Sequence, residues 1–350
     1  MNTSTVQLAE KGFSPLSEQL LVSDLHWSEG VARQAVWLSG KVPFGDVTEI
    51  MEELGQVPIS KSSVWRLSQK WGEIFRTERE KEQELESLPV HQDTLCTGKR
   101  MGVSMDGFMV HVLEEGWKEV KAGCLFEVGK EQVLDKETLT TEEVGRAIQI
   151  SHVAHLGGPE IFGKHLWGEA LRRDWKRASE TQIIGDGARW IWNLAEQYYY
   201  KSYALVDWYH AVEHLAKSGE VFYGADISSR QSWLKKQKKA LFQENTLEVI
   251  VSLKEKVRRK RGITRKKLLQ EVSFFENNKG RMNYRSLRNE GWLIGSGVIE
   301  SGAKQYKARF TGSGMRWKRS SLERMLHLRA AIMSNNFNQT WKALYSLPTN

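Results

Sequence analysis

Residues 102–112 read Gly-Val-Ser-Met-Asp-Gly-Phe-Met-Val-His-Val. β-Formers stand at both odd and even positions, the pattern of a strand covered on both faces, so this stretch is expected to be the central strand of a sheet. Asp106 interrupts it. Burying an unpaired carboxylate costs more than one residue contributes to a strand, so Asp106 requires a metal ion, a strong hydrogen-bond network or an open cleft beside it. Gly107 leaves space at that point.

Working outward, Trp117–Val128 follows the turn Glu114-Glu115-Gly116 and is expected to pair with the first strand as a hairpin, with Ile150–Leu156 as a third strand. A helix is expected from Pro159 to about Arg177. The strand pattern returns at Thr181–Gly185 and ends in Asp186-Gly187, again Asp-Gly, ahead of a helix beginning Ala-Arg-Trp-Ile-Trp. Tyr203–Val206 is a further strand, ending in Asp207 and leading into a helix that carries His210 and His214. Three consecutive strands, helix, strand, helix, strand, helix is the connectivity of a ribonuclease H-like α/β fold with a mixed five-stranded sheet. In that arrangement Asp106 and Asp186 face each other.

A third carboxylate stands in Trp-Leu-Ile-Gly-Ser-Gly-Val-Ile-Glu, residues 292–300. Glu300 follows a glycine turn and opens a basic helix whose Lys304, Lys307 and Arg309 are expected to hold a DNA strand. Carboxylate oxygens suit Mg²⁺, which is usually held by a few carboxylates plus substrate phosphates. Two such ions roughly 4 Å apart can activate an attacking hydroxyl and stabilise the leaving oxygen at phosphorus. Between Asp186 and Glu300, residues 219–290 are expected to form a basic helical insertion. Its run Lys235, Lys236, Lys238 and Lys239 either grips DNA or forms a solvated helix face, and Arg258-Arg259-Lys260-Arg261 poses the same choice.

The net charge of +8 conceals an asymmetry: residues 231–350 carry 26 Lys and Arg against 8 Glu and no Asp, leaving the first 230 residues net acidic. A polyanion is the simplest partner for such a basic half. The chain holds only Cys96 and Cys124, too few for a thiolate zinc site or a disulfide scaffold. No apolar run reaches the length of a membrane span, and the first residues lack a signal-peptide pattern, so a cytoplasmic location without membrane contact is expected.

The N-terminal region, 1–90, is expected to be helical. Residues 16–40 offer Leu20, Leu21, Val31, Ala35 and Trp37 as core positions. A helix capped by Asp46, with Glu49 completing a capping box, would bury Val47, Ile50, Met51 and Leu54 and end at Gly55. A second helix from Ser60 would bury Val64, Leu67 and Trp71 and present Lys61, Ser62, Arg66, Gln69 and Lys70, the mix a recognition helix uses on phosphates and base edges. Together they read as a helix-turn-helix over about 44–72. A charged connector helix over 73–87 and Pro89 mark the boundary to the core, 98–218, which resumes after the insertion at 291–345.

The segments Val-Ser-Met-Asp-Gly (103–107), Ile-Ile-Gly-Asp-Gly-Ala-Arg-Trp-Ile-Trp (183–192), Val-Asp-Trp-Tyr-His-Ala-Val-Glu-His-Leu (206–215) and Ile-Gly-Ser-Gly-Val-Ile-Glu-Ser (294–301) carry a resemblance. They resemble the DDE transposases of bacterial insertion sequences, most nearly the Kra-type family related to the eukaryotic Mutator class. Gly-Ser-Gly-Met-Arg-Trp (312–317) and Leu-His-Leu-Arg-Ala (326–330) extend the likeness, which covers about residues 100–345. The resemblance implies that Asp106, Asp186 and Glu300 are catalytic carboxylates holding two Mg²⁺, with Mn²⁺ able to substitute. It implies nicking at transposon ends and attack of the freed 3′-hydroxyl on target DNA, by a homodimer or larger assembly on double-stranded DNA. Asp207 and His210 match the Asp-x-x-His motif and would shape the site. His210 and His214 share a helix face, so a zinc site stands beside the hydrogen-bonded structural pair. Arg316, Trp317 and Lys318 would contact DNA, although Trp317 equally suits the core. A DNA-binding regulator without catalysis and another ribonuclease H-like nuclease remain the alternatives.

Overall fold

Why Arg100–Val112 lies at the centre follows from its neighbours on both sides. The computed structural model describes residues 22–24, 27–84, 98–134 and 141–345. Its main sheet comprises β3 (Arg100–Val112), β4 (Gly116–Leu134), β5 (Thr141–Leu156), β6 (Glu180–Gly185) and β7 (Tyr203–Val206). The strand order is β5-β4-β3-β6-β7. β3 pairs antiparallel with β4 and parallel with β6, so the sheet is mixed. Asp106 stands opposite Ala122, and Ser104 beside Ile184. β4 and β5 are longer than the sequence pattern suggests and stay paired from Glu127 and Ile148 outward as a two-stranded ribbon. Polar and charged residues dominate that extension, which hid it from a reading based on apolar β-formers.

Helices cover both faces, which is why β3 is apolar in both registers. Pro159–Arg172 (α4) packs on β4 and β5, and Arg189–Tyr198 (α5) packs on α4. α4 stops five residues before the expected end, and Asp174, with a positive φ, leads into a short 3-10 turn at Trp175–Arg177. Trp208–Tyr223 (α6) is followed by Ile227–Phe242 (α7), Thr246–Arg258 (α8), Gly262–Asn278 (α9) and Tyr284–Asn289 (α10), so 219–290 is helical as expected. Their apolar residues join Met101, Val103 and Met105 of β3 in one core, and the insertion packs chiefly on α6.

The opposite register of β3, Phe108, Val110 and Val112, faces a second core. It is shared by the N-terminal helices and by Gly297–Phe310, Arg319–Met333 and Phe337–Tyr345. The N-terminal elements are a small hairpin, β1 (Val22–Asp24) and β2 (Trp27–Ser28), then α1 (Glu29–Ser39), α2 (Phe44–Glu53) and α3 (Lys61–Glu84), and the three C-terminal helices become α11, α12 and α13. Trp71 of α3 stacks on Trp341 of α13 with ring centroids 3.7 Å apart, and Phe75 stacks on Phe337. The region expected to stand apart as a DNA-binding unit therefore shares its core with residues 291–345.

Several local expectations change. The chain is extended just before α1, which starts at Glu29 where the Ser28 hydroxyl accepts the Val31 N–H; Leu20 and Leu21 lie outside the described residues. Ala35 is buried, whereas Val31 and Trp37 are half-buried beside Ala32 and Val36. Pro43, rather than Asp46, precedes the first turn of α2, where a missing N–H costs nothing. Val47 and Met51 are buried, but α2 ends at Glu53 and leaves Leu54 83% exposed. Val64, Leu67 and Trp71 of α3 are buried as expected; Gln69, expected on the outer face, is buried too. α3 runs unbroken through the expected connector to Glu84, and Pro89 and Cys96 lie outside the described residues. Cys124 is buried, which pushes its thiol up to about 12. Among the described residues no helix is long and apolar enough to cross a membrane.

Candidate active site

Four elements bring their acidic residues to one end of the sheet. β3 carries Asp106 within its length, while β6 and β7 end immediately before Asp186 and Asp207. Gly187, at φ +102°, lets the chain turn sharply after Asp186. Glu300 comes from the first turn of α11, which packs on β3, with Tyr306 stacked on Phe108 at 5.6 Å.

Asp106 is half-buried, and its Oδ1 accepts the Gly107 N–H at 2.7 Å. Its carboxyl is held above the usual carboxylate range, first by burial and then by the negative charge of Asp186; Gly107, Lys307 and His210 act in the other direction. Asp186 Oδ1 accepts the Ala188 N–H at 2.8 Å. Each of these two carboxylates thus commits Oδ1 to a backbone donor.

Asp207 is fully buried and differently employed. Its Oδ1 accepts the His210 N–H at 2.7 Å, capping α6, and its Oδ2 accepts the N–H of Ser296. Burial raises its pKa, but the hydrogen bonds from His210 and Ser296 prevail and hold it below the ordinary value. The Asp207 N–H donates to Gly185 O at 2.8 Å and that of Trp208 to Ile294 O at 2.9 Å, so this corner ties β6 to the loop before α11. Ser296 in turn accepts the N–H of Glu300 at 3.1 Å. Asp207 therefore fixes the start of the helix that carries Glu300. His210 Nδ1 lies 3.4 Å from Asp207 Oδ1, an ion-pair separation. Asp207 is the main reason the His210 imidazole is pushed up to about 9 against the effect of burial, with Asp186 and Glu300 adding to it.

Among the described residues, Asp207, His210 and Glu300 form the one group of three whose potential ligand atoms all lie within 4.8 Å of one another. Both Asp207 oxygens already accept backbone N–H groups, so we read Asp207 as a brace. His214 does not join them: its Nδ1 bonds Glu271 Oε2 at 2.5 Å and its ring stacks on Phe274 at 3.7 Å, both residues of the helical insertion. Ser296 is the residue that sequence reasoning missed; the Gly-Ser-Gly turn signalled a bend but not that its central N–H would be captured from 89 positions earlier.

The cationic residues divide. Lys304 and Lys307 are exposed on α11, and the charge of Lys307 reaches Asp106. Lys61, Arg66 and Lys70 are exposed on α3, Lys235, Lys236, Lys238 and Lys239 on α7, and Arg316 and Lys318 before α12. Arg309 is not on the exposed side of α11: it is 1% exposed, donates from Nε to Ser39 O at 2.7 Å, and lies against the rings of Phe44, Phe310 and Trp317. Trp317 is also buried, with Nε1 donating to Phe310 O, because its backbone bridges to the end of β3 through His111 O and the Leu113 N–H. Neither side chain is presented at the surface as Lys304 and Lys307 are, and Trp317 takes the core position that its sequence equally allowed.

No curated protein matches the chain significantly. A profile of an uncharacterised protein family, UPF0236, matches residues 167–341, a span that holds Asp186, Asp207, His210 and Glu300 and begins after Asp106. With half of its length matched, the chain belongs to the uncharacterised protein family UPF0236.

Proposed function

We propose that this protein is a DNA transposase on a ribonuclease H-like core, cleaving DNA at the ends of a mobile element and joining the freed 3′-hydroxyl to a target. The observation that carries the reading is positional. Asp106 and Asp186 each stand two residues beyond the Ser104–Ile184 pair of the adjacent parallel strands β3 and β6, and Glu300, from a helix packed on β3, has its carboxylate within 4.8 Å of the ligand atoms of Asp207 and His210. Strand order supports the fold assignment: a central β3 flanked by an antiparallel pair and two parallel strands with helical crossovers.

The donor set fits a hard divalent cation. Asp106 and Asp186 keep Oδ2 available, and Glu300 brings a third carboxylate from the facing helix. These three residues would hold Mg²⁺ or Mn²⁺, probing as one or two ions the chemistry of phosphoryl transfer: activation of a hydroxyl and neutralisation of charge on the phosphate. The rest falls to the chain itself. Lys307 and Lys304 line one side of α11 and would bind the phosphates flanking the scissile bond. Protonated His210 balances the acidic cluster beside Glu300 and would orient that carboxylate. Asp207 and Ser296 would keep Glu300 in register with β3. Duplex DNA is the partner, and a homodimer or larger assembly would bring two ends together.

Incubation of purified protein with Mg²⁺ and duplex DNA carrying the ends of the surrounding element tests this. Nicked and joined strands should form, and Asp106→Asn, Asp186→Asn and Glu300→Gln should each abolish them while DNA binding persists. Products that survive all three substitutions would refute the assignment.

A further inference from the structure

A second cationic feature lies away from the acidic cluster, where the N-terminal helices meet the segment before α12. A cleft of about 380 Å³ opens there, within the range of roughly 300–1,000 Å³ typical of small-ligand sites. Lys61, Arg316 and Lys318 line it, Phe44 and the 44% exposed Trp65 form aromatic walls, and Arg309 lies at its back. Among the described residues that line it there is no Asp or Glu.

Three helix N-termini converge on this cleft. Pro43 and Lys318 are the residues preceding α2 and α12, neither of which has a side-chain cap, whereas α3, which begins at Lys61, is capped by the Ser60 hydroxyl accepting the Ser63 N–H at 3.2 Å. Uncapped first turns present unpaired N–H groups and the positive ends of their dipoles, a setting that favours a bound anion. Arg309 supplies the independent sign. It is 1% exposed, and its Nη2 has no hydrogen-bond partner, although it is a charged donor that normally demands one when buried. Asp46 contributes a favourable field to Arg309 without closing that hydrogen bond. The segment is held in place by the bridge between Val112 and Trp317, so the cleft does not depend on a loose loop.

We propose that this cleft binds one unpaired nucleotide of DNA, its phosphate met by Lys61, Arg316 and Lys318 with the buried guanidinium of Arg309 adding its charge from behind, and its base stacked on Trp65. The inference rests on the DNA reading above and extends it to a defined subsite. Cations combined with an exposed ring are the arrangement by which proteins hold single strands, whereas duplex backbone alone would need no aromatic wall.

Fluorescence anisotropy without divalent metal, where no strand chemistry occurs, tests the cleft separately from catalysis. The probes are a blunt duplex and the same duplex with a single-stranded overhang, titrated with the full chain over a range of salt. Tighter binding of the overhang is expected, with Trp65→Ala removing that preference by roughly ten-fold and Trp65→Phe retaining most of it. Combined Lys61→Ala, Arg316→Ala and Lys318→Ala should weaken both probes and lower the slope of log affinity against log salt by about 2 to 3. These residues are exposed, so circular dichroism should show unchanged folding. Equal affinity for the two probes, or an unchanged salt slope in the triple variant, would overturn the proposal. Failure of strand cleavage with this binding intact would instead count against the transposase reading alone.

Discussion

Asp207→Ala is the substitution with the most sharply defined consequence outside the three proposed catalytic residues. It removes the cap of α6, a loss of about 1 kcal/mol. It also strands the N–H of Ser296, a residue only 3% exposed, at about 1–3 kcal/mol. Together these give a destabilisation of about 2–4 kcal/mol. Asp207→Asn keeps one acceptor oxygen and should lose about half as much. Chemical denaturation followed by far-ultraviolet circular dichroism measures both. A further signature is pH dependence. His210, raised from 6.5 to about 9 in the folded protein, contributes stability that is fully present below pH 6.5 and is lost as pH rises through 9. Asp207, lowered from 3.8, contributes stability present above that value and lost as pH falls further. Asp207→Ala should therefore flatten the alkaline decline as well as lower the plateau. An unfolding midpoint and alkaline profile equal to those of the unmodified chain would refute the brace.

Two further outcomes follow from the buried polar residues behind β5. His152, lowered to about 4, and His165, lowered to about 3, are held neutral chiefly by burial, with His155 and His327 shifted the same way. Their folded values lie below the ordinary 6.5, so stability should be full above it and fall as pH drops toward 4; thermal melts from neutral to mildly acidic pH should show this, and His165→Phe should reduce the slope. Glu169, fully buried, bridges Arg79 and Arg172, and the attraction of the two guanidinium groups outweighs burial to hold its carboxyl at about 2. Glu169→Gln should cost about 3–5 kcal/mol in denaturant unfolding, and pairing it with Arg79→Met should recover much of that loss.

The strand order is legible in the sequence because β6 and β7 declare themselves by short apolar runs ending at Asp186-Gly187 and Asp207, and because β3 is apolar in both registers. That placed Asp106, Asp186 and Glu300 on elements that do meet. What the sequence hid was decided by packing. Arg309 looks like one more cation after Lys304 and Lys307, yet Ile299, Gly302, Ala303, Tyr306 and Phe310 form a buried stripe, and residue 309 falls within it. Helical spacing could have revealed this had charge not been given more weight than phase. Trp317 is buried by a backbone bridge to the end of β3 that no local pattern announces. The extended β4–β5 ribbon and the union of α1–α3 with the C-terminal helices likewise depend on long-range pairing rather than local propensity.

The central claim is that Asp186, with Asp106 and Glu300, touches the cation that serves phosphoryl transfer. Asp186→Cys exchanges a hard oxygen ligand for a softer sulfur, which tolerates Mn²⁺ better than Mg²⁺. Strand cleavage by this variant, measured in each metal against the unmodified protein, should be absent in Mg²⁺ and recover in Mn²⁺. Full activity of Asp186→Cys in Mg²⁺ would contradict the account.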